Sequence, residues 1–293
     1  MYIEGNLVKF KGIIKKEEPL APYLTIKVGG KVEWFLIPDS IDDAVYAVEF
    51  FREMGYQWFV LGNGSKILIP DEGFSGGVIY TGRLKGFWLD GDGMILESGS
   101  FLGDAIRVAM TNNLSGIESL VGIPATIGGA VVMNAGTRYG CIGDVVEKVE
   151  MIDEDGRYVV TTKPRFGYRD SEFKRRGIVI TRVYLKLRRD CQGEIEKRLR
   201  LAASLRRVQP QFSRQFGCIF KNPLSASAGR LIEEAGFKGF RYNNVQISSV
   251  HSNFLLNFGD SANDIYYVIR LIQEEIYRRF NIFLEPEVNI IGF

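Results

Sequence analysis

The sequence predicts a soluble α+β protein made of more than one domain. Its 293 residues are 46% hydrophobic and 25% charged, which is the composition of a globular chain with enough apolar material for buried cores. Amphipathic helical patterns alternate along the chain with short apolar runs that are typical of strands. Near Asp190, strand patterns give way to a basic helical segment that ends before Pro210. We therefore expect two or three domains, with one boundary close to Asp190.

The first organised segment predicts a strand–helix–strand unit. Ser40 and Asp43 have the spacing of a capping box at the start of a helix, and Gly55 has the place of its C-terminal cap. The apolar residues 58–61 predict a strand, and a second apolar run at 67–69 follows a glycine-rich turn.

The rest of the chain continues this mixture of helices and strands. A helix is expected at about residues 101–113, and a β-hairpin is expected around the Asp–Gly turn at 155 and 156. After the boundary, two strand-like runs are followed by a long helix with Ser261 and Asp264 at its start. The C-terminal part therefore predicts an α/β domain.

Composition excludes several classes of function. The formal net charge is only +2, so no broad basic surface for nucleic acid is expected. Cys141, Cys191 and Cys218 are an odd number of widely spaced cysteines, which indicates a reducing compartment rather than a disulfide framework. His251 is the single histidine and there is no CxxC, so no metal site is expected. Residues 1–20 have no long apolar run, so we expect a cytoplasmic protein with neither signal peptide nor membrane span.

Two glycine-rich stretches are candidates for binding a large ligand. In GNGS, residues 62–65, glycines allow successive backbone N–H groups to face a phosphate, but a plain hairpin turn explains the same letters. A strand follows rather than a helix, so the Rossmann fingerprint is absent. GIPATIGGAVVMNAG, residues 122–136, allows close approach either of a planar or polyphosphate ligand or of another part of the chain.

Six motifs in order carry a resemblance to a known family. They are TIKVGG, LGNGSKIL, GIPATIGGAVVMNAG, FGYRDS, FGCIFKNP and LEPEV, beginning at residues 25, 61, 122, 166, 216 and 284. From about residue 20 onward, the chain resembles the UDP-N-acetylenolpyruvoylglucosamine reductases, flavoenzymes that complete UDP-N-acetylmuramic acid for peptidoglycan. Its length resembles the shorter form of the family, which lacks an extra substrate-covering loop.

The resemblance implies how the chain is divided and which residues bind FAD. It implies an FAD-binding region of the vanillyl-alcohol-oxidase type in two subdomains, residues 1–82 and 83–190, and a UDP-sugar-binding domain at 191–293. The residues expected to bind the cofactor are Leu61, Gly62, Asn63, Gly64, Ser65, Lys66, Gly122, Ile123, Pro124, Ala125, Thr126, Gly128, Gly129, Ala130, Asn134, Ala135 and Gly136. Lys66 and Ala125 depart from the residues that many relatives carry there.

The resemblance also implies the reaction and three catalytic residues. NADPH reduces the flavin, the enolpyruvyl ether of UDP-N-acetylglucosamine takes the hydride from flavin N5 at C3, and a proton reaches C2. Arg169 is expected to bind the substrate carboxylate, although a surface arginine paired with a neighbouring acid is the plainer interpretation. Cys218 stands where most relatives have serine and is expected to donate the proton, whereas the alternative is a small buried apolar residue. Glu287 is preferred to Glu285 as the catalytic glutamate, although a strand would place both on one face.

Further residues are expected to contact the substrate, and other functions stay open. The candidates are Tyr168, Arg169, Lys221, Asn222 and His251, of which Lys221 has a structural alternative and His251 a purely local hydrogen bond as its alternative. The expected partners are NADPH and the enolpyruvyl UDP-sugar, with no nucleic acid and no membrane. The alternative functions are an FAD-dependent oxidase of the same fold acting on another small molecule, and a nucleotide-sugar-binding protein that has lost catalysis.

Overall fold

The structure is a computed structural model that describes residues 9–174 and 177–293. The helices in these ranges are α1 (Ile41–Met54), α2 (Leu102–Thr111), α3 (Ile127–Val132), α4 (Gln192–Arg207), α5 (Ala228–Glu234) and α6 (Ala262–Phe280). No helix within them is long and apolar enough to span a bilayer. The prediction made for residues 1–20 falls partly on residues 1–8, which lie outside the described ranges.

The described strands are short, and most pair with antiparallel neighbours. In chain order they are β1 (Ile13–Pro19), β2 (Lys31–Ile37), β3 (Trp58–Leu61), β4 (Ile67–Leu68), β5 (Phe74–Tyr80), β6 (Phe87–Asp90), β7 (Gly93–Glu97), β8 (Leu114–Ser115), β9 (Gly136–Thr137), β10 (Gly140–Cys141), β11 (Val146–Ile152), β12 (Tyr158–Thr162), β13 (Phe166–Gly167), β14 (Asp170–Ser171), β15 (Val179–Lys186), β16 (Arg188–Arg189), β17 (Gln215–Cys218), β18 (Arg241–Tyr242), β19 (Val245–Ile247), β20 (Phe254–Asn257) and β21 (Asn289–Ile290). Helices and strands are therefore mixed along the whole chain, as an α+β fold requires.

Among the described residues, the first compact unit comprises 9–17, 33–63, 75–174 and 177–206. A four-stranded sheet of order β1-β2-β5-β3 packs its apolar side chains against the buried face of α1. A five-stranded antiparallel sheet of order β12-β11-β15-β7-β6 shares a second core with α2 and α3. The predicted strand–helix–strand unit is therefore present as β2–α1–β3, and the predicted hairpin as β11–β12.

The predicted start of α1 is correct, but its capping box is only half formed. The Asp43 N–H donates to the Ser40 hydroxyl at 3.1 Å, and Gly55 ends the helix with a left-handed φ of 68°. The Asp43 carboxylate accepts from the N–H groups of Asp39 and Lys11 instead of from that of Ser40. Asp43 therefore also ties the chain before β1 to the helix.

The second compact unit comprises residues 18–32, 64–74 and 207–293. Its antiparallel sheet has the order β17-β20-β19-β18, and β4 pairs in parallel with β21. The long helix α6 begins at Ser261, whose hydroxyl accepts the Asp264 N–H at 3.1 Å, as predicted. The apolar face of α6 is fully buried. Each compact unit is built from separate stretches of the chain. The division into domains at residues 82 and 190 stays a prediction.

Candidate active site

The GNGS turn combines a left-handed glycine with open backbone donors. Gly64 has a φ of 63°, and a Cβ at this position would lie 2.3 Å from the Tyr23 carbonyl oxygen, so only glycine fits. The N–H groups of Asn63, Gly64 and Ser65 donate to no acceptor in the described part of the chain. Such consecutive free N–H groups can bind an anion.

The two glycine-rich stretches meet within the first unit. The Asn63 side-chain amide donates to the Pro124 carbonyl oxygen at 2.8 Å. A Cβ on Gly62 would lie 2.4 Å from the Thr126 hydroxyl oxygen, so the glycine allows the two segments to touch. The structure therefore brings together residues that are about sixty positions apart and that the sequence assigned to one cofactor.

The second glycine-rich stretch packs closely on its own unit. The N–H groups of Ile127 and Gly128 donate to the carbonyl oxygens of Ser100 and Ser98, each at 2.8 Å, and that of Gly129 reaches the Thr126 hydroxyl at 3.3 Å. The first donors of α3 are therefore used by the protein itself. Close packing of chain on chain, one of the two sequence interpretations, is what this segment shows.

The other predicted cofactor residues differ in exposure. Those with half-buried or exposed surfaces are Gly122, Ile123, Pro124 and Ala125, and those buried are Leu61, Ala130, Asn134, Ala135 and Gly136. Both ends of the buried Asn134 amide are used: Nδ2 donates to the Gly167 carbonyl oxygen at 2.8 Å, and Oδ1 accepts the Gly143 N–H at 3.1 Å. Asn134 therefore holds neighbouring protein segments in place.

Arg169 lies at the tip of the β13–β14 hairpin. Gly167 faces Asp170 across the hairpin, so Tyr168 and Arg169 form its turn. Arg169 has a left-handed φ of 53°, and its guanidinium lies 5.6 Å from the centroid of the 57% exposed Tyr168 ring. The Ser171 hydroxyl donates to the Val132 carbonyl oxygen at 2.8 Å, which fixes the second strand of the hairpin on the end of α3. The hairpin thus presents a cation and an aromatic ring on a held base.

Cys218 is the last residue of β17 and its thiol is half-buried. It lies opposite Phe254 of β20, after an irregularity in register that begins at Gln215. Irregularities of this kind change the direction in which a strand points its side chains. The Cys218 carbonyl oxygen accepts a hydrogen bond of 2.6 Å from the Lys66 ammonium.

Glu287 and Glu285 have different surroundings. The Glu287 carboxylate lies 3.0 Å from the Lys66 ammonium, with only 9% of its side chain exposed. The Glu285 carboxylate lies 2.8 Å from Lys221 and is 60% exposed. Residues 284–288 form no strand and make a single bridge, between Pro286 and Phe220, so the rule that would place both glutamates on one strand face does not apply here. This difference in burial favours Glu287 for chemistry.

Two predicted substrate residues make local hydrogen bonds. The Asn222 side-chain oxygen accepts the N–H of Ala228, the first residue of α5, at 2.9 Å. Nδ1 of His251 accepts the N–H of Asn253 at 3.2 Å. Burial lowers the pKa of His251, so the ring is neutral at pH 7. Their contacts with substrate stay predictions.

Asn253 was missed by the sequence analysis. Its amide is 2% exposed and forms a two-bonded clamp on Phe220, accepting from the N–H at 2.9 Å and donating to the carbonyl oxygen at 2.8 Å. Its own carbonyl oxygen accepts the Ile219 N–H at 2.9 Å. The only sequence signal is a polar residue immediately before the apolar run of β20.

Two family models match the chain. The model described as UDP-N-acetylenolpyruvoylglucosamine reductase, C-terminal domain, matches residues 209–291, and the model described as FAD binding domain matches residues 32–162. A UDP-N-acetylenolpyruvoylglucosamine reductase of Caldicellulosiruptor saccharolyticus is 36% identical over 298 aligned residues, which cover 100% of this chain and 96% of the relative. The chain belongs to the UDP-N-acetylenolpyruvoylglucosamine reductase family.

Other comparisons agree with this family assignment. The reductase of a Synechococcus species is 39% identical and covers 98% of this chain and 94% of its own length. The crystal structure of the Thermus caldophilus enzyme superposes with a TM-score of 0.83 at 36% identity, covering 96% of this chain and 99% of that one. The glucose dehydrogenase Phl p 4.0202 matches 66% of this chain with a TM-score of 0.53 at 16% identity, which shows a shared fold alone.

Membership in the reductase family confirms the predicted α+β class, with an FAD binding domain and a C-terminal reductase domain. The chain is an FAD-containing oxidoreductase. Its residues fit FAD on two structural grounds. The N–H donors of residues 63–65 suit a phosphate, and the buried Ser98 hydroxyl, beside Gly128, has no partner within residues 9–174 and 177–293. Which predicted residues contact FAD stays a prediction.

Proposed function

We propose that this chain reduces UDP-N-acetylglucosamine enolpyruvate to UDP-N-acetylmuramate in the cytoplasm, with NADPH as hydride source, as a step of peptidoglycan precursor synthesis. The observation that carries the proposal is similarity to named reductases over the whole chain, at 36% identity. The pairing of Lys66 with the buried Glu287, next to the backbone of Cys218, supports it.

When bound, FAD would supply the hydride-transfer chemistry that connects NADPH with C3 of the enolpyruvyl group. Within the first unit, the Asn63 N–H and the Ser98 hydroxyl would hold the cofactor. Addition at C3 places negative charge on C2 and the adjoining carboxylate. Arg169 stabilises this charge because its guanidinium stays protonated and offers paired N–H donors to a carboxylate.

Cys218 supplies the proton that completes the reduction. Its S–H bond breaks as a C–H bond forms at C2, and solvent then returns a proton to the thiolate. A thiol is a far stronger acid than the serine hydroxyl found in most relatives, so the exchange keeps a proton donor in place. Glu287 acts on the same step as a fixed negative charge, joined to the Cys218 carbonyl oxygen through the Lys66 ammonium.

The remaining predicted contacts belong to this proposal. Tyr168, exposed beside Arg169, is assigned to the bound sugar nucleotide. Lys221 and Asn222 lie three and four positions after Cys218 in the chain. The side-chain oxygen of Asn222 is used at α5, and its amide N–H donors are assigned to the substrate. His251 is assigned as a neutral hydrogen-bonding side chain.

An anaerobic visible spectrum of the FAD-loaded protein tests the proposal. One equivalent of NADPH should bleach the flavin band, and one equivalent of the enolpyruvyl UDP-sugar should restore it. Omitting the sugar, and replacing it by UDP-N-acetylglucosamine, are the controls. A flavin that NADPH cannot reduce but that oxygen reoxidises after reduction by another small molecule would contradict the proposal and indicate an oxidase.

A further inference from the structure

Lys66 contacts two residues to which the proposed function assigns chemistry. It directly follows the glycine-rich turn at 62–65 and precedes β4, so the sequence analysis assigned it to the cofactor. In the structure its ammonium lies 3.0 Å from the Glu287 carboxylate and donates to the Cys218 carbonyl oxygen at 2.6 Å. All three residues belong to the second unit.

The backbone around Lys66 explains why this bridge forms. The parallel pairing of β4 with β21 places Lys66 beside the chain that carries Glu287, and the Asn289 N–H donates to the Lys66 carbonyl oxygen at 2.8 Å. The Glu287 N–H donates to the Ile219 carbonyl oxygen at 2.7 Å. Consecutive carbonyl groups, those of Cys218 and Ile219, are therefore bonded by Lys66 and by Glu287. Lys66 and Glu287 thus bind the end of β17 through two hydrogen bonds.

Burial makes the charge of Lys66 necessary. Only 20% of the Lys66 side chain and 9% of the Glu287 side chain are exposed. A carboxylate in such surroundings is strongly disfavoured when its cationic partner is removed. The compact ammonium has three donors, so it can pair with the carboxylate and still bond the carbonyl oxygen.

We propose that Lys66 is a positioning residue of the reduction, holding the Glu287 carboxylate and the Cys218 backbone in one arrangement. The inference rests on the proposed function, because it assigns Lys66 to the step in which Cys218 and Glu287 act. It places Lys66 in the delivery of the proton to substrate and not in the reduction of FAD by NADPH.

Rapid-mixing measurements on Lys66→Met separate the two half-reactions. We expect NADPH to reduce the variant's flavin within twofold of the wild-type rate, and reoxidation by the enolpyruvyl UDP-sugar to be roughly tenfold to a hundredfold slower, since small displacements of catalytic groups have effects of this size. Lys66→Arg keeps a cation and should recover most of the rate. Lys238→Met is the matched control because it breaks an ion pair of 2.8 Å with Glu233 in the same unit. It should reoxidise at the wild-type rate.

A double variant tests whether Lys66 acts through Glu287. Adding Lys66→Met to Glu287→Gln should slow reoxidation by less than threefold beyond Glu287→Gln alone. The reason is that the effects of substituting two residues that act together do not add. Reoxidation of Lys66→Met within twofold of wild type, or effects of the two substitutions that multiply fully, would overturn the proposal. A slowed reduction by NADPH with an unchanged reoxidation would overturn it too and return Lys66 to the cofactor.

Hydrogen–deuterium exchange gives a measurement that does not depend on turnover. The amides of Ile219 and Glu287 should exchange faster in Lys66→Met than in wild type or Lys66→Arg, whereas those of α6 should be unchanged. Unchanged exchange at both amides would contradict the positioning role. If wild-type reduced flavin is not reoxidised by the sugar, the proposed function fails, and the exchange result still decides whether Lys66 holds these segments.

Discussion

A buried asparagine amide supports the Arg169 hairpin and another supports the Cys218 strand end, but the side chains beside Arg169 and Cys218 differ in exposure. Asn134 bonds the Gly167 backbone at 2.8 Å, and Asn253 clamps both backbone groups of Phe220. Beyond Gly167, the hairpin turn leads outward to the exposed Tyr168 ring. The strand end instead lies beside the buried Glu287 carboxylate and its partner, the half-buried Lys66. The first arrangement suits binding an anionic substrate, and the second suits controlling a proton.

The two regions also differ in where their supports come from. The hairpin is fixed by Val132 and Asn134, which lie in the glycine-rich segment of the same unit. The strand end is fixed by Lys66, which is 152 positions from Cys218, together with Glu287 and Asn253. The two bonds that fix the hairpin therefore join residues 33 and 39 positions apart, whereas the strand end also depends on the pairing of Lys66 with residues much farther along the chain.

Replacing the hairpin cation should have the largest effect among the following changes. Arg169→Met should lower kcat/KM for the enolpyruvyl UDP-sugar by about 10²–10³-fold, because a preorganised charge that meets the developing carboxylate charge is lost. Arg169→Lys should recover only part, since one ammonium cannot offer the paired donors. Steady-state kinetics check this, with the exposed Arg165→Met as control. If Arg169→Met keeps its activity within twofold of wild type, Arg169 does not bind the substrate carboxylate and is instead a surface arginine paired with a neighbouring acid.

The two glutamates of LEPEV should contribute unequally to the reduction. Glu287→Gln should slow reoxidation by the sugar by roughly tenfold to a hundredfold, since it removes the fixed charge and leaves the Lys66 ammonium uncompensated. Glu285→Gln is the matched control two residues away. Its reoxidation rate should stay within twofold of wild type, because the Glu285 side chain that pairs with Lys221 is 60% exposed. If rapid mixing shows that both substitutions slow reoxidation equally, the difference in burial between Glu285 and Glu287 does not determine which of them contributes to the reduction.

The two asparagines test the supports themselves. Asn253→Ala should reduce the free energy of unfolding by about 1–3 kcal/mol, because it removes both partners from the buried backbone groups of Phe220. Asn134→Ala should reduce it by about 0.5–1.5 kcal/mol, since its bonds to the Gly143 N–H and the Gly167 carbonyl oxygen are only partly buried. Chemical denaturation measures this. At temperatures where both variants are folded, Asn134→Ala should mainly raise KM for the sugar, and Asn253→Ala should mainly slow reoxidation. The reverse assignment would contradict the separation of binding from proton transfer.

The smallest effect is expected at His251. Burial lowers the pKa of this ring below its ordinary value of about 6.5, so it does not change its charge above that pH. His251→Asn, whose side-chain oxygen can accept the Asn253 N–H, should therefore leave KM and its pH dependence between pH 6.5 and 8 unchanged within twofold. A tenfold rise in KM would make the ring a substrate contact instead.

Sequence patterns predicted the local elements of this fold better than its supports. Ser40 and Ser261 begin the helices where their capping patterns place them, because a cap depends on a few consecutive residues. A period of two could not distinguish Glu285 from Glu287, because that period holds only inside a strand and residues 284–288 make just one isolated bridge. The bonds of Lys66 and Asn253 could not be predicted, since they depend on β4, β20 and β21 reaching positions that adjoining residues do not specify.

Proton delivery to the substrate is measured most directly with Cys218→Ala. Wild-type, Cys218→Ala and Cys218→Ser proteins are reduced anaerobically with one equivalent of NADPH and mixed rapidly with the enolpyruvyl UDP-sugar. We expect NADPH to reduce all three at similar rates, reoxidation of Cys218→Ala to be about 10²–10⁴-fold slower than wild type, and Cys218→Ser to recover part of the loss through its hydroxyl proton. Reoxidation of Cys218→Ala within twofold of wild type would contradict the account and leave Cys218 a small packed side chain.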